Sequence, residues 1–98
     1  MLEQQIEQEI QEKRLTAARL TPEIIDSCIV AEDYHVFIGT TVTVCCLTLK
    51  NGFSVVGHSA CASIEIFDVA LGQKIAKANA REKIWELEGY LLKEKLAA

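Results

Sequence analysis

Ninety-eight residues, 50% hydrophobic and 24% charged, allow one globular domain and leave little material for a second core. Ten Lys and Arg stand against fourteen Asp and Glu, a net charge of −4, which disfavours the general attraction to phosphate backbones that DNA or RNA binding rests on. No apolar run reaches the roughly 18 residues that span a bilayer, and the start MLEQQIEQEIQEKRL lacks the basic and apolar regions of a secretion signal, so a cytosolic protein without membrane contact is expected.

Leu2, Ile6 and Ile10 recur at i+4 among Glu and Gln, which predicts a helix with one narrow apolar stripe. Such a helix needs a partner, so residues 1–19 read as a helical arm on a core over 21–98. Thr21-Pro22-Glu23 combines an N-cap residue, a proline at the first helical position and an acid in the first turn. The helix it starts is expected to run to about Asp33, with Ile24, Ile25, Cys28 and Ile29 inward. Tyr34 to Ile38 is β-prone before Gly39 breaks it, which allows a third short strand over 34–38.

Residues 41–50 and 53–60 flank Asn51-Gly52, the strongest short signal for an antiparallel hairpin. A two-residue turn would pair Lys50 with Phe53, Thr48 with Val55, Cys46 with Gly57 and Val44 with Ser59. One face would then carry Val42, Val44, Cys46, Thr48, Phe53, Val55 and Ser59, and the other Thr43, Cys45, Leu47, Leu49, Val56, His58 and Ala60. Both faces are largely apolar.

Ser63 is a suitable cap for a long final helix over about 64–94. Phe67, Leu71, Ile75, Ala78, Trp85, Gly89 and Leu92 make one stripe on it, and Val69, Ala80, Ile84, Leu87 and Leu91 another. The chain is therefore expected to be α+β, and too short to cover both faces of its sheet and both sides of its long helix. A second copy would cover the remainder, since soluble monomers seldom expose such patches.

Motifs for catalysis are absent: the sequence has no phosphate loop, G-x-G-x-x-G, H-E-x-x-H or G-x-S-x-G. Cys28, Cys45, Cys46 and Cys61 contain no C-x-x-C, and Cys45 and Cys46 must point to opposite faces of a strand, so they read as reduced, small apolar residues. His58 and Ser59 likewise point to opposite faces and cannot form a base and nucleophile pair on a regular strand. Neither a catalytic residue, a metal nor a cofactor is expected. Glu65, Asp68, Glu82, Glu86 and Glu88 spread around the last helix and read as capping and solubility residues.

Binding is the chemistry left. Lys74, Lys77 and Arg81 line one side of the final helix beside Trp85, where cations could hold a phosphate and an indole could stack a nucleobase. Lys50 in the hairpin turn, with His58 and Ser59 on its second strand, completes the candidate ligand-binding set.

The strings TLKNGFSVVGHSACASIEIFD and KIWELEGYLL carry a resemblance to a family of small tailed-bacteriophage and prophage proteins known as gene-product-forty-nine-like. It extends from Leu20-Thr21-Pro22 to the end and rests on Lys50-Asn51-Gly52-Phe53, Gly57-x-Ser59-Ala60-Cys61, Phe67-Asp68, Gly72, Trp85 and Gly89-Tyr90. His58, Ile64 and Ile66 stand where Glu, Pro and Asn are common in that family. The resemblance implies a phage origin and a place in the host bacterial cytoplasm, and it brings no catalytic residues. Together these readings predict a non-catalytic homo-oligomer that sequesters a small nucleotide-like immune signal. The alternative is a module that binds, and inhibits or recruits, a host protein.

Overall fold

The computed structural model describes residues 2–12 and 18–98, with the side chains of the first helix described from Glu3 onward. Residues 13–17 of the expected arm, and the Leu2 side chain of its stripe, lie outside the described residues. The chain forms helix α1 (Leu2–Glu12), helix α2 (Pro22–Ser27), strands β1 (Ile29–Val36), β2 (Val42–Leu49) and β3 (Ser54–Ala60), a 3-10 turn (Ile64–Ile66) and helix α3 (Val69–Ala97). The three strands form one antiparallel sheet in the order β1-β2-β3, so the expected α+β class is what the chain adopts.

α2 starts as its residues require: the Thr21 hydroxyl accepts the Ile24 amide at 3.2 Å, with Pro22 at the first helical position. It ends at Ser27, not near Asp33. The β-branched pair Ile29-Val30 goes into β1, where Glu32 lies opposite Leu47 and Tyr34 opposite Cys45. The third strand is therefore Ile29–Val36, longer and earlier than the expected 34–38, because pairing along β2 outweighs weak local helix signals.

The hairpin differs from expectation by one residue. Leu49 pairs with Phe53 around a three-residue loop: the Leu49 amide donates to the Phe53 carbonyl at 2.8 Å, and the Gly52 amide to the Leu49 carbonyl at 2.9 Å. Gly52 takes φ +89°, the left-handed conformation that closes such loops, while Asn51 Oδ1 accepts the Phe53 amide at 2.9 Å. Cys46 consequently pairs with Val56 and Val44 with His58. Every β3 side chain thereby changes face. Val55, Gly57 and Ser59 join Thr43, Cys45, Leu47 and Leu49 under the helix, and Val56, His58 and Ala60 join Val42, Val44 and Cys46 on the opposite face.

The long helix explains why this register wins. Gly72, Ala76, Ala80 and Ile84 are its buried stripe, and a Cβ on Gly57 would lie 2.2 Å from the Ala80 amide nitrogen. The backbones of β3 and α3 are in direct contact, and the side chain of Val56 or His58 could not occupy that space. Ala80 and Ile84 of the second expected stripe are thus buried, whereas Leu71 and Ile75 of the first remain 55% and 45% exposed. Ile25, Cys45, Leu47, Leu49 and Val55 complete the core.

Ser63 caps only the 3-10 turn, accepting the Glu65 amide, and the chain extends again at Phe67. The cap of α3 is Asp68, whose Oδ1 accepts the Leu71 amide at 2.9 Å. Ser59 then ties β3 to the first turn of α3 by donating to the Gly72 carbonyl at 2.8 Å. Beneath it the hydroxyl of Thr43 is fully buried without a hydrogen-bond partner. Thr43→Val removes that cost while keeping the branched shape, and should raise the unfolding free energy by about 1 kcal/mol, read from urea denaturation.

α3 packs on β2 and β3, and α2 and α1 lie beside it on the same side of the sheet. The opposite face, with Val42, Val44, Cys46, Val56, His58 and Ala60, carries no described helix.

Candidate functional site

The expected binding residues separate into three places. Lys74, Lys77, Arg81 and Trp85 share a groove of about 960 Å³ between α1, α2 and α3. Helical spacing puts them there: positions 74, 77, 81 and 85 recur every three or four residues, one row over from the buried stripe. Ile6 and Ile10 of α1 line the same groove, so part of the arm's apolar stripe closes it.

His58 and Ser59 belong to a separate cavity of about 360 Å³ at the other side of α3, lined also by Cys61, Phe67, Asp68 and Gly72. There the His58 carbonyl accepts Asn79 Nδ2 at 2.8 Å, and Ser59 is engaged with Gly72. Both residues hold the sheet to the helix. Lys50 stands in the hairpin loop, where its amide donates to the Cys28 carbonyl at 3.0 Å; it lines neither space.

The groove is an anion seat with a carboxylate already in it. Arg81 Nη1 donates to both oxygens of Glu3, at 3.0 and 2.8 Å, and Trp85 Nε1 donates to Glu3 Oε2 at 2.9 Å. Arg81 Nε reaches Asp26 of α2 at 3.0 Å, so one guanidinium joins three helices. Partial burial works against charge on Glu3, but the hydrogen bonds from Arg81 and Trp85 and the Arg81 charge outweigh it and hold the carboxyl below its ordinary value of 4.5. Lys77 pairs with Glu32 at 2.7 Å, whereas Lys74 lines the groove with its side chain exposed. A second ion pair, Arg19 with Glu7 at 2.5 Å, fixes the middle of α1 to the segment before α2.

Glu3 is the residue that sequence reasoning missed. It lies 78 positions from Arg81 and 82 from Trp85, and in the sequence it is one of several acids on an amphipathic helix. No local pattern marks such a contact.

Cys45 and Cys28 are not activated as nucleophiles. Cys45 is buried, which pushes its thiol upward, and Cys28 is raised by burial and by Glu88. Tyr34, against Cys45, is pushed up to about 12, burial being the main cause. No group of His, Cys, Asp and Glu among the described residues has metal-binding geometry, and no described helix is long and apolar enough to cross a membrane.

The sequence model of a phage protein family, N4 Gp49/phage Sf6 gene 66, matches residues 20–96. No curated protein and no solved structure matches the chain. The match covers the sheet, α2 and α3 and stops short of α1.

Proposed function

As the chain belongs to the phage protein family of N4 Gp49 and phage Sf6 gene 66, we propose that it is a phage accessory protein acting by binding, without catalysis, in the host cytoplasm. Its ligand is a small anion of the nucleotide class, such as an immune signal that the module sequesters, and it works as a homo-oligomer. The observation that carries this reading is the convergence of Arg81 and Trp85 on the Glu3 carboxylate. The same donors fit a phosphate oxygen, and Lys74 and Lys77 flank them. Glu3 holds the seat in the absence of ligand, so α1 serves as a strap that an incoming anion must displace.

A competitor tethered to the same chain lowers apparent affinity by the fraction of time that it occupies the site. Glu3→Ala should therefore tighten binding of ADP-ribose or a cyclic dinucleotide about tenfold in calorimetric titration, and Arg81→Ala should abolish it. Equal, undetectable binding in the wild type, Glu3→Ala and Arg81→Ala would overturn the ligand reading.

A second reading has its own support. The uncovered sheet face, with Val42, Val44, Cys46 and Val56, fits a module that binds and inhibits or recruits a host protein. Native mass spectrometry of the full chain from infected cells distinguishes them: a bound nucleotide favours the first reading, and a stoichiometric host protein the second.

A further inference from the structure

The two edges of the sheet are treated differently. In β3 the outward carbonyls of Val56 and His58 are taken by Lys83 and Asn79, one helical turn apart on α3. That edge is closed by side chains, one of the ways in which sheets avoid adding a strand. In β1 the amide of Phe37 donates to the Val42 carbonyl at 3.3 Å, so by the antiparallel alternation His35, Asp33 and Ala31 also turn their backbone groups toward β2. Glu32, Tyr34 and Val36 then present their amides and carbonyls outward. Among the described residues, no backbone group pairs with them. The strand has eight residues, no proline and no lysine, and its one irregularity, between Ile29 and Ala31, is at its beginning.

The geometry points to a second copy of this chain as the occupant, with β1 pairing antiparallel to its own copy and making one six-stranded sheet. Charge selects the register. Two-fold pairing through the outward groups allows four registers near the middle of the strand. One sets Glu32 opposite Glu32, one Asp33 opposite Asp33, and one His35 opposite His35. The fourth, centred on Tyr34, sets Asp33 opposite His35 of the second copy and Glu32 opposite its Val36. Only there does no carboxylate or imidazole face its own kind: Tyr34 meets Tyr34 at the axis, and the Asp33 carboxylate meets an imidazole with an N–H to donate. The two contacts recur symmetrically about the axis. Asp33 and His35 are both exposed on the uncovered face, and His35 is already oriented edge-on against Phe37, with ring centroids 4.7 Å apart.

The test is sedimentation equilibrium of the full chain with three variants, Asp33→His, His35→Asp and the double exchange, with hydrogen exchange read at residues 32, 34 and 36. A wild-type dimer is expected, its amides at those positions protected. Each single change makes both contacts like-for-like and should raise the dimer dissociation constant about tenfold, and the double exchange should return it close to wild type. These positions carry no core contact, so unchanged circular dichroism separates lost pairing from lost folding. A wild-type chain that stays monomeric at about 100 μM would overturn the inference, since pairing weaker than that has no consequence. So would a dimer whose amides at 32, 34 and 36 exchange freely, a tighter dimer in Asp33→His, or no rescue by the double exchange.

Discussion

Gly57→Ala is expected to lower the unfolding free energy by about 3 kcal/mol in urea denaturation. The added Cβ would lie 2.2 Å from the Ala80 amide nitrogen, 2.5 Å from the Ala76 carbonyl oxygen and 2.8 Å from Ala80 Cα. All three are backbone atoms of a packed helix, so no rotamer change relieves the overlap and α3 as a whole must move off the sheet. The movement also opens the contacts of Ala76, Ala80 and Ile84 with the core. Gly89→Ala is the control, because nothing lies within 4 Å of its Cβ position and it is inside the same helix. There the added methyl group should stabilise by about 0.5–1 kcal/mol through helix propensity alone. Similar effects of the two changes would show that the close approach of β3 and α3 is wrong.

Arg81→Ala is the second change with a large expected effect, and it acts on α1. The Glu3 carboxylate would lose both guanidinium bonds and keep only Trp85, while Asp26 would lose its partner altogether. Charge-assisted bonds at a partly exposed site contribute about 1–2 kcal/mol, enough to leave a short helix with one apolar stripe undocked for much of the time. Hydrogen exchange over residues 2–12 should accelerate about tenfold at pH 7, with the sheet amides unchanged. Acid should reproduce this in the wild type. Because the folded Glu3 carboxyl lies below 4.5, its contribution to docking is complete above that pH and is lost as the pH falls through the lowered value. Arg81→Ala should show little of that pH dependence. An arm that stays protected in the variant, or that detaches on going from pH 7 to 5, would disprove the Glu3 seat.

Much of this was legible in local patterns. Thr21-Pro22-Glu23 starts α2, Asn51-Gly52 turns the hairpin, and the basic row beside Trp85 shares one side of α3, as expected from capping, turn chemistry and helical period. The family resemblance over nearly the whole chain agrees with the match to residues 20–96. Elsewhere the local signal was ambiguous. Ser63 and Asp68 are equally good caps, and the choice between them fell to Ser59, which holds the Gly72 turn against β3.

What the sequence determines by itself is therefore the class of each element and the chemistry available to it, because helix period, caps and turn residues act within a few positions. Tertiary structure decides the rest. The hairpin register shifted by one residue because only Gly57 leaves room for the α3 backbone, and that shift moved His58 to the uncovered face and Ser59 beneath the helix. The candidate site divided in the same way, with Lys50, His58 and Ser59 held elsewhere while Glu3 joined Arg81 and Trp85. These contacts join residues up to 82 positions apart, and such distances are set by packing and electrostatics in the folded chain.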